Sequence, residues 1–173
     1  MPTEIGVIAD THSFFDPNLP EIFADVDEIW HAGDFGDMGV ADQLAKIKPL
    51  KGVYGNIDTN DLRERFPEDL FFEIEGIEVW MTHIAGRPGW YDPRVEPRLK
   101  EQPPKLLVCG HSHILRMERD KKFDEMLYLN PGAAGHHGFH QKRTLVKFTM
   151  DGGTISKFRL IELGPRGRIK TKK

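Results

Sequence analysis

Five short apolar runs in this chain each stop at a residue able to hold a metal ion. Ile5-Gly-Val-Ile-Ala9 ends in Asp10-Thr-His12, and Asp27-Glu-Ile-Trp-His31 runs into Ala32-Gly-Asp34. Leu50 to Tyr54 is followed by Gly55-Asn56, Ile77 to Thr82 by His83, and Leu106 to Cys109 by Gly110-His-Ser-His113. Runs of this length bounded by turn residues predict buried strands. In α/β sheets the carboxyl ends of neighbouring strands open onto one crevice, so residues distant in sequence can meet there. A histidine serving only the core has no reason to recur at such ends.

Between the runs, the periodicity supplies the other elements. Val40, Leu44 and Ile47 fall at helical spacing over Met38 to Lys48, and Pro49 stops the helix. Leu70 to Thr82 predicts two strands about a turn at Gly76, with Ile77, Val79 and Met81 alternating. Asp92-Pro93 can cap a short helix, although Pro97 argues against one. Further strands are predicted at 117–119, 126–129, 144–150 and 154–160, the last two joined by a hairpin turn at Asp151-Gly-Gly153. Strand–helix units followed by a strand-rich second half predict an α/β sandwich of two facing sheets with helices outside. Neither an internal repeat nor a linker divides the chain.

The residue types at the strand ends suit one another. Carboxylates, imidazoles and an amide oxygen favour borderline or hard divalent ions: Mn²⁺ first, with Fe²⁺, Zn²⁺ or Ni²⁺ as alternatives. In D-x-H and H-x-H, residues two apart on extended chain point the same way, so both reach one region. A carboxylate such as Asp34 can bridge two ions, and two ions about 3.5–4 Å apart can clamp the oxygens of an in-line displacement. Each piece alone has a plainer reading. D-x-H can be a cap or turn, Asn56 after Gly55 a turn residue, His83 a core histidine, and His111 and His113 loop histidines. It is their ordered repetition that favours a metal site.

Composition narrows the function classes. The 173 residues fit one domain, with 39% hydrophobic and 29% charged residues, as in a soluble globular protein. A net charge of −3 gives no global positive field, so nucleic acid is not indicated as a partner. Only 165–173 forms a basic tail, through Arg166, Arg168, Lys170, Lys172 and Lys173, read as solvated terminus. The single cysteine, Cys109, sits in an apolar strand and points to a cytoplasmic, reducing setting. No secretory signal or membrane-length apolar run is visible. The oligomeric state is left open.

Asp10-Thr-His12, Gly33-Asp34-Phe-Gly-Asp37, Gly55-Asn56, Thr82-His83 and Gly110-His-Ser-His113 follow the motif order of the calcineurin-like metallophosphoesterases. The chain most resembles the small single-domain prokaryotic phosphodiesterase branch, which also carries a segment like Asn130-Pro-Gly132. The resemblance runs from Ile5 to about Met150 and implies a four-layer α/β/β/α sandwich over 1–164. It implies one metal on Asp10, His12, Asp34 and His113, and a second on Asp34, Asn56, His83 and His111. It further implies in-line attack on a small-molecule phosphoester by hydroxide held between the metals, without a phosphoenzyme, with Asn56, Asp34 and His83 as catalytic residues.

One position departs from larger relatives. They carry histidine after the Gly-Asn pair to protonate the leaving oxygen; here Ile57 stands there. Losing a general acid costs about 10²–10⁴-fold on poor leaving groups, which favours activated phosphodiesters. Asp58 can brace the loop or a ligand histidine instead. His31 reads as structural support, Asp37 as a helix cap, and His136, His137 and His140 as an exposed polar loop. Trp90, Tyr91, Arg87 and Arg94 fall in a glycine-bordered segment that could edge the site, either arginine being able to pair with phosphate. The principal rival to an enzyme is a non-catalytic interaction scaffold of the same fold, as in the retromer subunit. Retention of every matched position favours catalysis.

Overall fold

The protein is described from a computed structural model covering residues 2–167. Two five-stranded sheets face each other. The first has the order β12-β11-β1-β2-β3, formed by Thr154–Pro165, Lys142–Asp151, Thr3–Ile8, Glu28–His31 and Leu50–Gly52. The second has the order β4-β5-β8-β10-β9, formed by Asp69–Ile74, Ile77–Thr82, Leu106–Val108, Met126–Asn130 and Arg116–Asp120. A separate two-stranded ribbon pairs β6 (Gly86–Arg87) with β7 (Trp90–Tyr91).

The period-two alternation of the strands builds three apolar layers. Ile5 and Val7 of β1, Val79 and Met81 of β5, and Leu106 and Val108 of β8 meet between the sheets. Ile8 turns outward beneath the helices α1 (Leu19–Ile22), α2 (Met38–Ile47) and α3 (Asn60–Arg65), with Leu44 and Leu62. Trp80 and Leu107, alternate residues of β5 and β8, pack outward with Leu99 of α4 (Glu96–Glu101). The result is the expected α/β/β/α four-layer sandwich. Cys109 is buried, and among the described residues no helix is long and apolar enough to cross a membrane.

Helix α2 starts where expected because the Asp37 carboxylate accepts from Val40 N at 3.1 Å, satisfying an otherwise free first-turn donor. Helix α4 corrects the reading at Asp92. Asp92 O accepts from Val95 N and Glu96 N in a preceding turn, and the helix begins at Glu96 with Pro97 in its first turn. Proline is tolerated there because its missing N–H would have no partner in the helix.

Strand direction positions the site. β1, β2 and β3 run parallel, as do β5, β8 and β10. Each set releases its carboxyl ends together, and contacts of Asp10 with His111 and of Asp34 with His83 bring the two sets to one edge of the sandwich. β12 extends to Pro165, and the tail residues Arg168, Lys170, Lys172 and Lys173 lie outside the described residues.

Candidate metal centre

The chain leaves the parallel strands through left-handed turns. Asp10 (φ 54°), His12 (44°), Asp34 (61°), His111 (72°) and His113 (63°) all adopt backbone that L-residues seldom occupy. Such conformations cost about 1–3 kcal/mol each and cluster at functional sites, where the surroundings over-determine them. Here the loops are stitched together. Asp10 N donates to Gly33 O at 3.0 Å, His12 N to Asp34 O at 3.1 Å, and Ser13 N to Phe35 O at 2.7 Å. His111 N donates to Asp10 Oδ2 at 3.0 Å, joining the two sheets.

All seven residues singled out by sequence meet at this edge. Potential ligand atoms of Asp10, His12 and His113 lie within 4.8 Å of one another, and those of Asp34, His83 and His111 form a second such group. Asp34 Oδ2 sits between the groups, 3.5 Å from His12 Nε2 and 3.2 Å from His83 Nε2. Asp10 Oδ1 lies 3.4 Å from His113 Nε2. Asn56 Oδ1 joins the second group, 3.1 Å from His111 Nδ1.

The donor set fits divalent cations. Asp10 Oδ1, His12 Nε2 and His83 Nε2 are buried without a hydrogen-bond partner. Leaving a buried polar atom unmatched costs about 1–3 kcal/mol, so three such atoms converging on one spot fit the coordination of a cation. His83 is already oriented as a ligand. Its Nδ1 donates to Ala32 O at 2.7 Å, which leaves the Nε2 lone pair facing the carboxylates.

A further set of residues holds this geometry. Buried Asp58 accepts from Asp34 N (3.0 Å), Gly55 N (2.8 Å) and Gly36 N (2.9 Å), bracing the loops after β2 and β3. Asn130, at the end of β10, donates to Gly110 O and to Ser112 Oγ, both at 3.0 Å, and accepts from Gly132 N. Sequence reading assigned Asn130 no role, although it too stands at a strand end. His31 is structural: its Nδ1 accepts from Gly33 N at 3.1 Å, while Nε2 lies 2.9 Å from Thr11 Oγ1. Gly55 is required because a Cβ there would fall 2.0 Å from Asp34 Oδ1.

The titration behaviour follows from these contacts. Burial drives the His31 imidazole down to about 3, keeping it neutral. Burial also lowers His12 and His111. For His83 burial is outweighed by the Asp34 and Asp10 carboxylates and by the Ala32 carbonyl, and its pKa rises. For Asp34 burial is outweighed by His83 and by the Ile57 N–H, which holds the carboxyl below its ordinary range.

Five of the seven candidate ligands, His12, Asp34, Asn56, His111 and His113, open onto a cleft of about 500 Å³. The loop at 136–140 is exposed at His137 and Phe139, as expected, and it also borders the cleft. His137 and His140 line the cleft; His137 stacks on His12 with centroids 4.7 Å apart, and His140 packs edge-on to His113 at 5.2 Å. Arg166 holds the loop there, its N bonded to Gln141 O and its Nε to His140 O. Arg94 binds the Asp69 carboxylate at 2.8 Å and Thr82 Oγ1 at 2.6 Å, and with Asn56 and His83 it lines a neighbouring pocket.

Known proteins share both the sequence and the architecture. The calcineurin-like phosphoesterase superfamily domain matches residues 3–153. A probable metallophosphoesterase of Methanothermobacter thermautotrophicus is 31% identical over 134 residues, spanning 75% of this chain and 76% of that protein. Among solved structures, a novel archaeal phosphodiesterase aligns with a TM-score of 0.68 at 23% identity, over 92% of this chain and 99% of its own. Entamoeba histolytica Vps29 complexed with zinc aligns with a TM-score of 0.65 at 16% identity, over 93% and 99% respectively. At these identities the two structures speak for a shared fold.

Proposed function

The chain belongs to the calcineurin-like phosphoesterase superfamily, and on that premise we propose that it is a two-metal phosphodiesterase acting on a small-molecule phosphoester. The supporting observation is the convergence of Asp10 Oδ1, His12 Nε2 and His83 Nε2, buried and unpartnered, around the Asp34 carboxylate. Asp10, His12 and His113 would hold one ion; Asn56, His83 and His111 would hold the other, with Asp34 shared. Two divalent ions, manganese being our first choice, would supply Lewis acidity and a nucleophilic water at neutral pH.

The chain's own residues do the rest. Asp34, fixed by the Ile57 N–H, keeps its other oxygen between the two groups. His83 is locked in one tautomer by Ala32. Asn56 presents a polar amide where charge would grow on the phosphoryl group. Ile57 lines the cleft where a proton donor would be needed for a poor leaving group. That favours diesters whose leaving oxygen departs unprotonated; the archaeal fold neighbour is named a phosphodiesterase. We infer a cytoplasmic setting from the lone, buried thiol.

The test is hydrolysis of bis(p-nitrophenyl) phosphate by metal-stripped protein, reloaded separately with Mn²⁺, Fe²⁺, Zn²⁺ and Ni²⁺. Phosphomonoesters and glycerophosphodiesters serve as comparison substrates. Turnover should return with a divalent ion and fall more than about 10²-fold in Asp34→Ala and His83→Ala. Full activity in either variant sinks the mechanism, and no turnover with any ion turns the reading to the scaffold.

A further inference from the structure

Next to the metal cleft lies a second cavity of about 400 Å³. Its near wall, His111, Ser112 and Ile114, is shared with the cleft, so the two cavities adjoin at the candidate metal centre. Its far wall is the β6–β7 ribbon, with Arg87, Trp90 and Tyr91. We infer that this cavity seats a planar aromatic substituent of the phosphodiester, with Trp90 as the stacking platform and Arg87 as the cation facing its negative charge. The inference rests on the phosphodiesterase reading above and adds the class of substrate.

Three observations carry it. Trp90 is 69% exposed, whereas Trp30 and Trp80, the chain's other two tryptophans, are buried. A large indole left mostly in water on a two-residue strand adds little to the core, and a ligand's ring can cover it. The ribbon beneath it is anchored: Tyr128 Oη donates to Gly86 O at 2.5 Å, Asp92 N to Ala85 O at 2.9 Å, and Tyr91 Oη to Asp120 at 2.6 Å. The platform is therefore fixed before a ligand arrives.

Arg87 supplies the charge. Its guanidinium lies 4.3 Å from the Trp90 ring centroid, and the indole remains 69% exposed. Among the described residues Arg87 makes no ion pair, whereas Arg116, also in the wall, is bound to Glu118 at 2.9 Å. At about 400 Å³ the space is near the lower end for small-molecule sites and suits a nucleoside or aryl group better than a polymer.

Trp90 reports on its own occupancy. The full chain, with and without Zn²⁺, is titrated with adenosine 5′-monophosphate, phenyl phosphate and glycerol 3-phosphate while tryptophan fluorescence is followed. Saturable quenching by the two aromatic ligands, absent with glycerol 3-phosphate and lost in Trp90→Phe, is the expected result. Tighter binding of the nucleotide identifies a nucleobase, and tighter binding of phenyl phosphate a single aryl ring. Indistinguishable titrations with all three overturn the inference. In turnover, Trp90→Ala should raise KM for an aromatic diester relative to a glycerophosphodiester by about tenfold, with kcat changed far less. Arg87→Ala should raise KM for both, and Trp90→Phe should recover most of the aromatic preference. An unaltered KM ratio in Trp90→Ala defeats the pocket alone. Absence of any diester turnover in the unmodified protein defeats the underlying phosphodiesterase reading, and the fluorescence titration then judges the pocket by itself.

Discussion

Replacing Asp58 tests whether the site is held by its supports or by its ligands alone. The carboxylate accepts three backbone N–H groups, two at Oδ2 and one at Oδ1, all between 2.8 and 3.0 Å, and is 4% exposed. Hydrogen bonds to a charged acceptor contribute about 1.5–3 kcal/mol each, so removing all three in Asp58→Ala should cost at least about 4 kcal/mol. Asp58→Asn can keep the two bonds at one oxygen while turning its amide toward Gly36 N, and should lose about 1.5–3 kcal/mol. Urea unfolding of the metal-free protein should show the midpoint falling in that order at constant slope. Because the same bonds position Asp34 and Gly55, affinity for Mn²⁺, read by calorimetry on the folded protein, should drop about 10–100-fold in Asp58→Asn. A stability loss below about 1 kcal/mol in Asp58→Ala, or unchanged metal affinity in Asp58→Asn, would refute the argument.

Two further outcomes follow from other contacts. Gly55→Ala places a methyl 2.0 Å from Asp34 Oδ1, and the loop must shift by more than an ångström to accept it; metal binding by calorimetry should weaken at least about tenfold, with wild-type affinity counting against the close-approach argument. His31 is neutral when folded, with its pKa near 3 against 6.5 unfolded. The unfolded chain therefore binds the extra proton first, and stability should fall as pH drops below 6.5, by up to about 1.4 kcal/mol per unit. His31→Gln should flatten that fall in thermal melts between about pH 6.5 and 4.5, and an identical slope would remove His31 as a cause.

The site was more legible in the sequence than the elements around it. Asp10, Asp34, Asn56, His83 and the Gly110–His113 segment each declare themselves at the end of an apolar run, because strand polarity and ligand chemistry are both local properties. Helices α1 and α3 escaped because four and six residues are too few to display a helical period. The β6–β7 ribbon pairs only two residues on each side, and no alternation can show in so short a run. That the exposed loop at 136–140 also borders the cleft was hidden for a different reason. Its position depends on Arg166, 26 residues beyond His140, and a contact of that kind leaves no trace in local composition. Arg94 and Arg87 look equivalent in sequence; only the fold reveals that Asp69 engages the first, while the second lies over Trp90.

The left-handed turns at Asp10, His12, Asp34, His111 and His113 have a thermodynamic consequence. Their unfavourable torsions are adopted when the chain folds, so under the proposed function an arriving cation would find its cage already assembled, with little ordering entropy left to oppose capture. Such a cage is also slow to resize. Calcium, which takes six to eight oxygens at about 2.3–2.6 Å, would have to part loops stitched across both sheets, whereas a smaller transition-metal ion meets nitrogen and oxygen donors already in place. On the proposed two-metal reading, discrimination between cations would reside in the backbone as much as in the side chains placed to touch them.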